Sequence, residues 1–223
     1  MKAMILSAGF GTRLHPYTNK LPKALISYKG KPMIEHQIDR LKKIGVSEIV
    51  VNAHHFWEKI CEHFRDKDFG IKINVLVEKN ILGTGGGIIN AGKFLAGEDY
   101  FMVINVDVNT DMDLSRMVLY NMSVEPFATL AVQKRFSKRY LELDDDMNLL
   151  RRENDKSVKH NLYAFNGIHI ISNRIFNTVI NADMSDILDV YFKALKSGET
   201  VKGYDAGKCL FRDLGRKENL FAE

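Results

Sequence analysis

Along the chain, short continuous apolar runs alternate with stretches in which apolar residues recur every three or four positions. Met4-Ile5-Leu6 and Ile49-Val50-Val51 have the first pattern, that of buried strands; Ile71 to Val77 is a strand in which Lys72 and Asn74 interrupt the apolar residues; and Tyr100 to Asp107 returns to the first pattern. The last is the most continuous and reads as a central strand covered on both faces. Between these runs, Ile34, Ile38 and Leu41 with Ile44 keep helical spacing, Pro32 suits a first helical turn, and Gly45 closes the helix. A second helix is expected from Phe56 to Phe64, with Phe56, Ile60 and Phe64 on one face and Trp57 and Cys61 packed beside them. A third starts at Thr84, as its cap, and runs through Ile89, Phe94 and Leu95. Further on, a helix passes through Leu114, Val118 and Leu119, and Phe127 to Val132 is a strand. Tyr140 to Leu150 reads as a hairpin whose Asp144, Asp145 and Asp146 are solvent-facing turn residues. Arg151 to His160 reads as an exposed connection. A strand from Ala164 to Ile171, a helix opening at Met184 and short strands at Thr200 to Tyr204 and Cys209 to Phe211 complete the pattern.

Strand, helix, strand, helix, strand at this rhythm implies a parallel sheet with helices on both faces. The expected fold is α/β, a three-layer sandwich with a mostly parallel, Rossmann-like central sheet, in one domain spanning residues 1–223. Ligands of such sheets gather at the carboxyl ends of the strands, and the chemistry of the chain concentrates there. The first strand stops at Gly9-Phe10-Gly11, and Arg13, Lys20 and Lys23 follow closely. Glycines allow a tight turn and close backbone approach, while arginine and lysine supply charge for phosphate oxygens. The third glycine of the dinucleotide pattern and the Gly-Lys-Ser/Thr of the P-loop are both missing. The stretch therefore points to a phosphate or nucleotide site of neither design.

Thr84-Gly85-Gly86-Gly87 has no explanation in helix propensity, since each glycine weakens a helix interior by about 1 kcal/mol relative to alanine. Either a ligand approaches bare backbone there or the helix packs closely on the sheet. Asp107, at the end of the central strand and beside the phosphate loop, is the candidate Mg²⁺ ligand, because Mg²⁺ completes its shell with water and substrate phosphates. A calcium loop over Asp107, Asn109, Asp111 and Asp113 fails, since Met112 replaces the needed glycine and Val118 the bidentate glutamate. Asp111 is then a cap or turn residue. Asn166-Gly167 interrupts a strand and marks a bulge or a close ligand; His169 carries no argument for catalysis.

Composition narrows the partners. With 45% hydrophobic and 27% charged residues, the chain is an ordinary folded domain. No apolar stretch approaches the ~20 residues that span a bilayer, and the first residues lack the pattern of a signal peptide. The net charge of +4 comes from 32 basic and 28 acidic residues without a basic run interleaved with aromatics, so nucleic acid is not an expected partner. Cys61 and Cys209 have no metal-ligand spacing and suit a reducing, cytoplasmic location.

The run Ala8-Gly9-Phe10-Gly11-Thr12-Arg13-Leu14-His15-Pro16-Tyr17-Thr18 with Pro22-Lys23-Ala24-Leu25 resembles the signature of the sugar-1-phosphate nucleotidylyltransferases. The triple glycine is most similar to the short mannose-1-phosphate guanylyltransferases and N-acetylmuramate-1-phosphate uridylyltransferases. The resemblance implies Mg²⁺-dependent transfer of a nucleoside monophosphate, from UTP or GTP, to a sugar 1-phosphate. It implies that Arg13, Lys23 and Asp107 are catalytic and that Ala8, Gly9, Gly11, Thr12, Arg13, Gly85 and Gly86 bind the nucleotide. Glu78, Asn166 and Gly167 would meet the sugar phosphate, with residues 133–170 as a hairpin and sugar-side region, and Asp213 would join Asp107 as metal ligand. A homodimer is a candidate assembly. The chain departs from the family in Val106 before Asp107, where a glycine is usual, and in Arg216-Lys217, where Thr-Pro is usual. The competing readings are a choline-phosphate cytidylyltransferase, which wants an aromatic cage, a non-catalytic nucleotide-sugar sensor, and a dinucleotide oxidoreductase.

Overall fold

The computed structural model describes residues 1–65, 67–153, 161–177 and 186–220. β1 (Ala3–Leu6) lies inside the main sheet and is paired on both sides. Its Ala3 and Ile5 enter one core and its Met4 and Leu6 the other, which is what period-two alternation produces in a strand covered on both faces. After the glycine loop come three short 3-10 helices, then the small pair β2 (Ser27–Tyr28) and β3 (Lys31–Pro32), and then α1 (Met33–Lys43). Pro32 stands just outside α1 in extended backbone and pairs with Ser27, so it precedes the first turn.

β4 (Glu48–Ala53), α2 (Trp57–Arg65) and β5 (Lys72–Val77) follow, then α3 (Gly83–Asn90), α4 (Gly92–Leu95) and β6 (Tyr100–Asn105). Strands β5, β4, β1 and β6 lie side by side and all parallel. α1 and α2 cover one face of this sheet; α3 and α4 cover the other. Phe56 does not belong to α2: its φ of 54° places it in the turn before the helix. Ile60 is the buried residue of α2, and Trp57 is 39% exposed, not packed.

The remaining elements are β7 (Val108–Thr110), α5 (Leu114–Val124), β8 (Ala128–Gln133), β9 (Tyr140–Leu143), β10 (Leu149–Glu153), β11 (Leu162–Ser172), α6 (Ile187–Lys196), β12 (Val201–Asp205), β13 (Phe211–Asp213) and α7 (Lys217–Leu220). β11 runs antiparallel beside β6, and β8 and β12 extend the sheet beyond it. The β9–β10 hairpin joins the first part of β11. Its turn is held by Asp144, which accepts from the amides of Asp146 and Asn148. The cap of α5 is Asp113, accepting from Ser115 N at 2.9 Å, whereas Asp111 accepts from Leu210 N. Most of the Arg151 to His160 connection, and the start expected for α6 at Met184 and Ser185, lie outside the described residues. Among the described residues, no helix is long and apolar enough to cross a membrane.

Candidate active site

The site is built where the chain leaves β1 and β6. Gly11 has φ 66°, and a Cβ on it would lie 2.8 Å from Thr18 Cγ2 and 3.1 Å from Lys23 Cβ. Backbone conformation and close packing both demand glycine here. Thr18 Oγ1 donates to Gly11 O at 3.0 Å, folding the loop back on itself. That fold carries Lys23 to the end of β6. Ala8 is buried, Gly9 and Thr12 are exposed, and a Cβ on Gly9 would meet nothing within 4 Å.

β6 ends at Asn105, and the chain turns through Val106 and Asp107 into β7. β13 pairs antiparallel with β7, with Asp213 opposite Val108, and Leu214 N donates to Asp107 O at 2.8 Å. This small ladder brings Asp107 and Asp213 together. Lys23 Nζ lies 2.8 Å from Asp107 Oδ2, Arg13 Nη1 2.8 Å from Asp213 Oδ2, and Arg13 Nη2 3.9 Å from Asp107 Oδ2. Gly215 sits among them: a Cβ there would be 2.5 Å from Asp107 Oδ2, 2.8 Å from Asp213 Oδ1 and 2.9 Å from Arg13 Nη2. Arg216, at one of the positions departing from the family pattern, places Nε 3.3 Å from Asp213 Oδ2.

Burial alone would raise the Asp107 carboxyl, but the Lys23 ammonium and the Arg13 guanidinium outweigh it and hold the group below the ordinary carboxylate range. For Arg13, burial acts downward and is outweighed by the hydrogen bond and charge of Asp213, so its affinity for the proton rises. The Lys23 side chain is only 14% exposed. Lys23 is therefore largely withdrawn from water. It is the partner that allows a carboxylate to stay ionised out of water. Two adjacent carboxylates fit a hard cation that takes its other ligands from water and phosphate. Among the described residues, no group of three or more His, Cys, Asp or Glu comes together.

A second group ties the other strand ends. Ser7 N donates to Asn52 Oδ1 at 2.8 Å, Ser7 Oγ donates to Asn52 O, and Asn52 Nδ2 donates to Glu78 Oε1 at 2.8 Å. Glu78 Oε2 accepts from Leu82 N at 3.2 Å. Glu78 is buried with both oxygens engaged. A Cβ on Gly87 would lie 2.9 Å from both Asn52 Nδ2 and Glu78 Oε1, so at Gly87 the glycine serves close packing of α3 on the strand ends. Gly85 and Gly86 occupy the same helix turn. Thr84 is not its cap: α3 begins at Gly83, and Thr84 Oγ1 accepts from Ile187 N at 2.9 Å, tying α3 to α6.

Asn166 and Gly167 lie elsewhere. β11 is four strand positions from β5, about 19 Å at the usual spacing of about 4.8 Å, so Glu78 does not share their neighbourhood. Gly167, at φ 71°, marks the register shift between β11 and β8. A Cβ on it would fall 2.5 Å from Asn105 Nδ2, which puts Asn166-Gly167 against the Asp107 turn. Asn166 is buried, and its Oδ1 accepts from Arg135 Nε at 3.0 Å. Arg135 also donates to Phe165 O and stacks 3.9 Å above Phe211; burial lowers its proton affinity despite Asp213 nearby.

Sequence reasoning missed Asn52, Arg135 and the closeness required at Gly215. Asn52 had a signal: a polar side chain following three apolar residues near the end of β4. Arg135 had none, since it stands among other charged residues of a loop.

This arrangement, with charged groups at the ends of parallel strands and a glycine loop beside them, defines a phosphate-handling α/β protein. The nucleotidyl transferase family model matches residues 2–223, and the chain belongs to that family. It is 31% identical over 216 residues to D-glycero-alpha-D-manno-heptose 1-phosphate guanylyltransferase of Campylobacter jejuni, covering 96% of this chain and 92% of that one. It is 39% identical over 138 residues to probable mannose-1-phosphate guanylyltransferase 1 of Oryza sativa, covering 60% of this chain but 38% of the rice protein. In fold it is similar to HddC from Yersinia pseudotuberculosis complexed with GMP-PN, with TM-score 0.80 at 22% identity over 99% of this chain and 96% of that one. A putative glucose-1-phosphate thymidylyltransferase from Bacillus anthracis superposes with TM-score 0.85 at 21% identity, over 99% and 92%.

Proposed function

We propose that the protein transfers a nucleoside monophosphate from a nucleoside triphosphate to a sugar 1-phosphate and releases pyrophosphate. The observation that carries this is the meeting of Arg13, Lys23, Asp107 and Asp213 around Gly215. The sugar phosphate oxygen attacks the α-phosphorus, and the bond to the bridging oxygen of the β-phosphate breaks. The attacking oxygen is already ionised at neutral pH, so in-line positioning and charge neutralisation replace a general base. Arg13 holds Asp213 through Nη1, and with its side chain 57% exposed it would turn the open side of its planar fork to the triphosphate. Lys23 neutralises charge near the reacting phosphates while keeping Asp107 ionised. Asp107 and Asp213 would hold Mg²⁺, whose contribution when bound is to neutralise phosphate oxygens. Asn166 and Gly167, beside the Asp107 turn, are proposed contacts of the sugar phosphate. Ala8, Gly9, Gly11, Thr12, Gly85 and Gly86 are proposed to border the nucleotide.

Two relatives described as guanylyltransferases support GTP over UTP and a manno-configured 1-phosphate as acceptor. A choline cage gains no support: Tyr163 is buried, and the ring already carries Lys134 Nζ 5.1 Å from its centroid. The test is pyrophosphate release across GTP, UTP, CTP and ATP with mannose, heptose, glucose and N-acetylmuramic acid 1-phosphates and choline phosphate. Turnover is expected with GTP and a manno-configured 1-phosphate, to require added Mg²⁺, and to be lost in Asp107→Asn. Turnover only with CTP and choline phosphate would overturn the acceptor.

A further inference from the structure

We propose that Gln37 is a positioning residue that holds the Asp107 turn in the geometry needed for transfer; the catalytic part of this rests on the function proposed above for Asp107. Gln37 is 1% exposed, on the face of α1 that otherwise carries Met33, Ile34, Ile38 and Leu41 into the core. A buried amide in that setting must find partners for its polar atoms. Its Nε2 donates to Val106 O at 3.1 Å and to Val108 O at 2.7 Å. Both N–H groups of one amide are thus spent on the two carbonyls that flank Asp107 in sequence.

The orientation of that amide is fixed by chemistry. Arg40 Nη1 lies 2.6 Å from Gln37 Oε1, and a guanidinium can only donate, so the atom facing it is the oxygen. The two carbonyls can only accept, so the atom facing them is the nitrogen. Arg40 continues the same contact by donating to Val108 O and to Thr110 O at 2.9 Å.

The turn needs such a device. Val106 and Asp107 fall between β6 and β7, outside either strand. Asp107 is tied at its own carbonyl by Leu214 N and at its carboxylate by Lys23. The Val106 carbonyl is met by Gln37, and the Val108 carbonyl by Gln37 at 2.7 Å and by Arg40 at 3.3 Å. Without Gln37, the Val106 carbonyl, in the peptide plane that leads into Asp107, loses its partner and Val108 O keeps Arg40, so the backbone entering Asp107 can rotate and the carboxylate moves relative to Asp213, Lys23 and Arg13. Distance errors of about 1 Å at a reacting centre cost on the order of a hundredfold in rate.

The experiment uses the full chain in two variants. Gln37→Met keeps length and removes both donors; Gln37→Glu keeps an acceptor for Arg40 and also removes both donors. Asp39→Ala, on the exposed side of the same helix, is the control. Hydrogen–deuterium exchange without substrate is expected to rise about tenfold or more in peptides spanning residues 104–110, with residues 49–53 unchanged. With the substrates that wild type turns over, kcat is expected to fall about 10-fold to 100-fold, while KM for the nucleoside triphosphate stays within about threefold. Unchanged exchange at 104–110 in both variants, or exchange raised equally across the sheet, overturns the proposal, as does wild-type kcat in either variant. Asp107→Asn separates the two claims. Full activity there removes the catalytic role of Asp107, whereas the exchange result judges the Gln37 contact independently.

Discussion

Replacing Gly215 with alanine adds one methyl group where three side chains of the proposed site meet. The new carbon would stand 2.5 Å from Asp107 Oδ2, 2.8 Å from Asp213 Oδ1 and 2.9 Å from Arg13 Nη2. Ordinary carbon–oxygen contact begins near 3.4 Å, so the Asp107 carboxylate must retreat by about 0.9 Å or the β13–α7 turn must move away by as much. Asp107 has little room to yield, being held by Lys23 and by the backbone of Leu214. A misplacement of about 1 Å corresponds to a loss of about a hundredfold in turnover, or about 2.7 kcal/mol of transition-state stabilisation. The fold itself should lose less, because the Arg13–Asp213 pair is part-exposed and exposed pairs contribute about 0–1 kcal/mol. The assay is steady-state pyrophosphate release beside a thermal melt of the same preparation. A Gly215→Ala enzyme with kcat within about threefold of wild type would show that the crowded geometry is not required and would refute this reasoning.

Other perturbations test neighbouring parts of the account. Lys23→Met removes the nearest cation from the buried Asp107 carboxylate and leaves Arg13 Nη2 next at 3.9 Å, so denaturant unfolding should show a loss of about 3 kcal/mol, most of it recovered in Lys23→Met/Asp107→Asn; a single variant as stable as wild type would argue against the pair. Arg13→Lys should lower kcat/KM more than tenfold with little change in melting temperature, because a point charge does not reproduce the guanidinium fork; unchanged kinetics would remove Arg13 from the triphosphate. Burial lowers His169 to about 3. Between pH 6.5 and that value the unfolded chain binds a proton that the folded chain does not. Stability therefore falls on acidification by about 1.4 kcal/mol per pH unit, about 2 kcal/mol from pH 6.5 to 5. His169→Gln should show a shallower pH slope in denaturant titrations, and parallel slopes would contradict the assignment.

The parallel half of the sheet was legible because β1, β4 and β6 are short apolar runs and β5 an alternating one, separated by helices of clear period, and the loop that brings Arg13 and Lys23 to Asp107 was legible because Gly11 interrupts that pattern beside them. What failed depended on long-range partners. Thr84 looks like a cap locally, but its hydroxyl serves Ile187 across the helix layer. Phe56 keeps helical spacing with Ile60 and Phe64, yet its left-handed backbone excludes it from the helix. The ion pair of Lys23 with Asp107 joins residues 84 positions apart, so no local pattern announces it. Gln37 in a helix carries no local mark, and Asn52, although polar among apolar neighbours, gives no hint of which backbone groups it binds, because those groups are brought to both by distant segments.

The central claim is that this site moves a nucleoside monophosphate between two phosphates. It is tested most directly by following the α-phosphate: GTP labelled there is incubated with Mg²⁺ and mannose 1-phosphate or D-glycero-α-D-manno-heptose 1-phosphate, and products are separated. The expected result is label in a nucleoside diphosphate sugar, one pyrophosphate released for each molecule formed, and neither product without the sugar phosphate. Label that stays in tightly bound GTP, or emerges only as free GMP, would contradict the account.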